Sequence, residues 1–141
     1  MTYTSPCLFI DVVDPLSFLA HLQLRSVEQA SGIRVERVPV ELRPPPAELI
    51  DAGHPFWSQR WERAEALACE LRLSLRKPSL VPWSRQAHEL LCHARSSGLD
   101  QTDQLLDTIF EALLLKGEDI GRVDIFAWIK IPEANELSAS G

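Results

Sequence analysis

Apolar and polar positions follow two different periods along the chain. Cys7-Leu8-Phe9-Ile10-Asp11-Val12-Val13 is a short, mostly apolar run rich in β-formers and predicts a buried strand. Asp14 and Pro15 follow it. Asp is a good N-cap, and Pro suits the first helical position because its missing N–H costs nothing there. From Pro15 the apolar residues Leu16, Leu19, Ala20 and Val27 recur at helical spacing, and Gly32 supplies a stop. Ile33 to Leu42 then alternates, with Ile33, Val35, Val38, Val40 and Leu42 apolar and one slip of phase around Arg37. That predicts a second strand. Strand, helix, strand makes a βαβ unit with parallel strands and a right-handed crossover.

The period changes for good after Arg43-Pro44-Pro45-Pro46, a stiff loop. Trp57, Trp61, Ala64, Leu67, Ala68 and Leu71 form one helical face, with the two tryptophans expected in the core. Lys77 to Trp83 holds two prolines and reads as a loop. Ser84 is a fair N-cap for a helix with Ala87, Leu90, Leu91 and Ala94 inward, closed by Gly98. Leu105, Leu106, Ile109, Phe110, Leu113 and Leu114 mark the next helix, closed by Gly117. Asp119 caps a last helix through Ile120, Val123, Ala127 and Trp128, and the polar residues from Pro132 form a frayed tail. The expected fold class is therefore α/β: a βαβ unit over residues 1–46, about four helices over residues 47–131, and a tail over residues 132–141.

Composition narrows the function classes. A chain of 141 residues fits one domain, and 45% apolar with 24% charged residues is a globular balance. The net charge is −6 and no basic stripe is present, so nucleic acid is not an expected partner. No apolar run approaches the roughly 18 residues that cross a bilayer. Met1 to Pro6 has no basic stretch, and the apolar run beyond it holds Asp11 and Asp14, so neither a membrane anchor nor a secretory signal is expected. The cytoplasm is the default location.

The cysteines, Cys7, Cys69 and Cys92, are odd in number, far apart and without a C-x-x-C pair. Each is read as a free thiol buried as a small hydrophobe. The histidines (His21, His54, His88, His93) and cysteines show no paired ligand spacing, so no metal is expected.

One βαβ unit followed by helices in succession narrows the fold further. The stretch Leu8-Phe9-Ile10-Asp11-Val12-Val13-Asp14-Pro15-Leu16-Ser17-Phe18-Leu19-Ala20 resembles the first strand and active-site helix of the DsbA family of thioredoxin-like proteins. The FrnE-type oxidoreductases, 2-hydroxychromene-2-carboxylate isomerases and kappa-class glutathione transferases belong to that group. Val81-Pro82-Trp83-Ser84-Arg85-Gln86-Ala87-His88 resembles the start of the family's helical insertion. Ile109-Phe110-Glu111-Ala112 with Gly117-Glu118-Asp119-Ile120-Gly121 resembles its next helix pair. The similarity runs over residues 7–127.

The resemblance places the active site at Asp14, Pro15, Leu16 and Ser17. In redox members the positions of Asp14 and Ser17 are cysteines. A thiolate at a helix N-terminus is stabilised by the macrodipole and free N–H groups, and neither a carboxylate nor a hydroxyl replaces it in disulfide exchange. Glutathione-dependent members carry a serine at the first position, whose hydroxyl favours the glutathione thiolate. Here that position is Asp14, an acceptor when ionised. Asp14 and Ser17 are the candidate catalytic residues, and Pro15 and Leu16 the candidate contacts to a small thiol ligand such as glutathione. Against that stands the plainer reading of Asp14 as an N-cap. The expectation is a degenerate member acting as a binding or dimerisation module, with a glutathione-linked isomerase or transferase as the alternative.

The family continues into two further strands, a helix and a cis-proline loop that this sequence does not supply. Without those strands the edge of Cys7–Val13 is open and apolar, a template for another chain. A homodimer through that edge is the expected partner.

Overall fold

The computed structural model describes residues 6–44, 50–51, 53–79, 81–96 and 102–118. They form β1 (Cys7–Ile10), α1 (Pro15–Ser31), β2 (Glu36–Pro39), α2 (Pro55–Glu70), α3 (Arg85–Ser96), α4 (Thr102–Phe110) and a π-helical turn (Glu111–Leu115). This is a mixed α/β arrangement with a parallel two-stranded sheet and four helices among the described residues. The helix expected after Asp119, the stop at Gly98 and the tail lie outside the described residues.

Local chemistry sets both ends of α1. Asp14 is extended, its carboxylate accepts from Leu16 N–H, and Pro15 takes the first helical position. Gly32 closes the helix at φ 74°, where a side chain would be strained, and donates its N–H to Glu28 O at 2.9 Å.

Both strands are shorter than the apolar pattern predicts. β1 ends at Ile10 because Asp11 to Asp14 turns into the helix, with Asp14 N–H donating to Asp11 O. β2 is confined to Glu36–Pro39, and Ile33, Val40 and Leu42 are exposed. The register pairs Cys7 with Glu36, Leu8 with Arg37, Phe9 with Val38 and Ile10 with Pro39. Partners share a face and successive residues alternate. Leu8, Ile10, Arg37 and Pro39 therefore face α1, where Arg37 bonds His21, and Glu36 on the opposite face pairs with Arg95 of α3.

The phase slip at Arg37 has a physical cause. Its side chain occupies a core-facing position because its charge is met there. Arg37 Nη2 lies 2.6 Å from Glu28 Oε1, Arg37 Nη1 donates to Val35 O at 2.7 Å, and Arg37 Nε donates to His21 Nδ1 at 3.1 Å. With Nδ1 accepting, the His21 ring proton sits on Nε2 and is donated to Asp107 Oδ1 at 2.7 Å. Arg25 holds the same Asp107 carboxylate through two bonds, 2.6 and 2.9 Å. His21 is wholly buried, and its ring packs against Phe110 with centroids 5.6 Å apart. This polar chain ties α1, β2 and α4 together through the core.

Trp57, Trp61, Ala64 and Ala68 form the buried stripe of α2, as the pattern predicts for the tryptophans. Leu67 and Leu71 do not belong to it and are exposed. At about 100° per residue Leu67 falls on the flank of the Trp57–Ala68 line, and Leu71 lies past the helix end, just before Arg72 at φ 58°. α3 buries Ala87, His88, Leu91 and Ala94, while Leu90 is half-buried. α4 buries Leu105, Leu106, Ile109 and Phe110, and Phe110 stacks on Phe18 with centroids 5.0 Å apart. The chain then widens into the π turn, closed by Lys116 N–H to Glu111 O at 2.9 Å. The extra residue turns Ala112, Leu113 and Leu114 inward together, which an α-helical period would not do.

Candidate functional site

The four residues between β1 and α1, Asp11 to Asp14, are all buried, and Asp11, Val12 and Asp14 are bonded to residues distant in the sequence. Asp14 is only 2% exposed. Its Oδ1 accepts from Leu16 N–H at 3.2 Å and from Arg60 Nε at 3.0 Å. Its Oδ2 accepts from Ser17 Oγ–H at 2.9 Å and from Arg60 Nη2 at 2.6 Å. Four donors fill the roughly four lone-pair sites of an ionised carboxylate. The hydrogen bond from Arg60 Nη2 and Nε to Asp14 also raises the Arg60 guanidinium above its already high ordinary value.

Ser17 is equally committed. Its hydroxyl proton goes to Asp14, and its oxygen accepts from Asp11 N–H at 3.2 Å. The structure thus brings Asp14 and Ser17 into direct contact, one turn apart on α1. Pro15 is buried, and Leu16 is half-buried against the Leu19, Ala64 and Ala68 cluster between α1 and α2. The expected thiol contacts of Pro15 and Leu16 are therefore directed partly into packing.

Two residues complete this junction that the sequence pattern did not single out. Arg60 stands on the first half of α2, 46 positions from Asp14. Its signal is faint: an arginine one residue before the buried Trp61, on the border of the apolar stripe. His88 is the other. Val12 N–H donates to its Nε2 at 3.2 Å, so that lone pair is used and the ring proton sits on Nδ1. Asp11 Oδ1 stands 3.4 Å from the same nitrogen, a contact between two acceptors rather than a hydrogen bond. His88 could have been found from its phase, three residues before Leu91 on the inward side of α3.

Asp11 is the third anchor. Its Oδ1 accepts from Val13 N–H at 3.3 Å and its Oδ2 from Leu42 N–H at 2.8 Å. The carboxylate thereby fixes the turn after β1 to the chain leaving β2.

The cysteines depart from expectation. Cys7 is half-buried, with its Sγ 4.0 Å from Glu36 Oε2, and Cys69 and Cys92 are exposed. Cys69 follows Ala68 and Cys92 follows Leu91, and one step along a helix turns a side chain about 100° out of the buried stripe. No helix among the described residues is long and apolar enough to cross a membrane.

Comparison of the chain with models of known protein families, with curated proteins and with solved structures found no match in any of the three.

Proposed function

We propose that this chain is a DsbA-like, thioredoxin-type protein whose active-site position has become a structural joint, and that it works by binding rather than by thiol chemistry. The supporting observation is the closure of Asp14 by Arg60 and Ser17. A general base needs a lone pair directed at substrate, and all those of Asp14 are occupied. A hydroxyl that favours a glutathione thiolate must give its proton to sulfur, and Ser17 gives its proton to Asp14. Two exposed thiols and a half-buried one, with no disulfide among them, fit a reducing cytoplasm.

Self-association through the open edge of β1 belongs to the same reading. Phe9 is 64% exposed, the most of any large apolar residue described, and β2 is the one described strand that pairs with β1. A second copy placed on Phe9 would bury that area at roughly 25 cal/mol per Å².

The tests are direct. Titration calorimetry with millimolar reduced glutathione is expected to give no heat, and saturable heat would return the glutathione-linked isomerase or transferase reading. Asp14→Cys combined with Ser17→Cys is expected to confer insulin reduction above the no-protein rate, because the α1 N-terminus and Arg60 favour a thiolate. A folded double variant without any gain would count against thioredoxin-type ancestry. Sedimentation equilibrium at micromolar concentration is expected to show a dimer that Phe9→Glu converts to monomer.

A further inference from the structure

A small cleft lies where the turn after β1, the chain leaving β2, α2 and the start of α3 meet. Val81 N–H donates to Ile50 O at 3.0 Å and holds two of its walls together. The space it leaves for the centre of a water-sized sphere is about 10 Å³. That is what one water molecule needs, and it is too little for an organic ligand.

The polar lining is of mixed character. Trp57 is 1% exposed, and its indole Nε1–H has no hydrogen-bond partner among the described residues. A buried donor in that condition is costly and calls for an acceptor. Asp11 is buried and already accepts from Val13 N–H at Oδ1 and from Leu42 N–H at Oδ2. Those two bonds leave lone pairs on a carboxylate that has roughly four such sites. Ser84, also buried, adds a hydroxyl that both donates and accepts. Arg43 forms part of the wall but is engaged, with its guanidinium over the Phe56 ring. A cation would meet the Trp57 donor where it needs an acceptor, and an anion would meet the Asp11 carboxylate. A small neutral molecule that accepts and donates suits both groups.

We propose that one water molecule is fixed in this cleft, accepting from Trp57 Nε1–H, donating to the Asp11 carboxylate and bonding Ser84 Oγ. Three partners are the usual number for a buried water. The water ties α2 and the start of α3 to the turn after β1, and it gives a buried indole its acceptor. The inference is independent of the thioredoxin-type reading, which concerns Asp14 and Ser17 and is tested by glutathione and insulin.

Water itself is the probe. Cross-relaxation between water and the indole N–H protons is measured by NMR on the full chain labelled with nitrogen-15, in the laboratory and the rotating frame, with resonances assigned from Trp57→Phe and Trp61→Phe. A water held longer than the protein takes to tumble gives signals of opposite sign in the two frames, whereas proton exchange with bulk solvent gives the same sign. Opposite signs are expected at Trp57. No signal is expected at Trp61, whose indole N–H also has no partner among the described residues but which is not part of the cleft lining. Ser84→Val fills the space and deletes a partner, so it should abolish the Trp57 signal while the indole resonance remains. A Trp57 signal that is absent, or of the same sign in both frames, would overturn the proposal. So would an equal signal at Trp61, or a Trp57 signal that survives in folded Ser84→Val.

Discussion

Arg60 grips Asp14 through two parallel bonds, Nε to Oδ1 at 3.0 Å and Nη2 to Oδ2 at 2.6 Å, so that a carboxylate capping α1 is also the anchor of α2. The geometry is the fork-on-carboxylate pairing that makes arginine stronger than lysine in such places. It converts the α1 N-terminus, which could have served an external anion, into an internal contact.

Asp14→Ala should therefore cost more than a lost cap. The cap alone is worth about 1 kcal/mol. Removing one partner of a buried pair adds to that, but Arg60 is one-third exposed and can return to water, so the total should be about 2–3 kcal/mol. Asp14→Asn keeps an acceptor for Leu16 N–H and should cost about half as much. Urea denaturation of both variants checks the order; equal costs would mean that the cap adds no stability beyond the Arg60 pairing, and a near-neutral Asp14→Asn would mean that the Arg60 pairing carries none.

Acid should loosen the junction between α1 and β2. The hydrogen bond from Arg37, aided by Val35 N–H against the opposing effect of burial, holds the Glu28 carboxyl down to about 2 from its ordinary 4.5. A depressed carboxyl contributes stability that is complete above its unfolded value and is lost as pH falls through the folded one. Burial pushes Asp107 up, but the bonds from His21 and Arg25 outweigh it and leave the group lowered, so its contribution has the same sign. Stability should fall between pH 4.5 and about 2. Glu28→Gln should be less stable at neutral pH and show a flatter fall over that window. Parallel curves for the two proteins would remove Glu28 as a cause.

Trp61 fills the core but leaves its indole N–H without a partner among the described residues. Trp61→Ala should cost about 3–5 kcal/mol. Trp61→Phe keeps most of the packing and deletes the unmatched donor, so it should cost less than about half of that. Thermal unfolding of the two variants separates the contributions, and similar losses would point to a hydrogen bond that Trp61 makes.

Native-state thiol labelling reports the cysteines. Cys69 and Cys92 should react fast and Cys7 slowly, because exposure limits access to the thiolate. Replacing both helical cysteines with serine should abolish the fast phase. A fast phase that survives would place Cys7 at the surface.

How much of this was legible in the sequence divides along one physical line. The sequence by itself determined α1 with both its ends, because Asp14, Pro15 and Gly32 act on backbone groups within a few residues of themselves. It determined the parallel βαβ order and the inward tryptophans, because apolar period follows directly from helix and strand geometry. It marked Asp14 and Ser17 as a pair but not what they do, since the answer depends on a donor 46 residues away. Only the tertiary structure decided that Arg60 fills the Asp14 lone pairs, that His88 receives Val12 N–H across 76 residues, and that Arg37 is acceptable facing the core. It alone turned three consecutive residues inward at the π turn and turned Cys69 and Cys92 outward. These outcomes rest on how elements pack and which charges then meet, and a buried polar group is tolerated only once its partner, distant in sequence, has been brought within bonding distance.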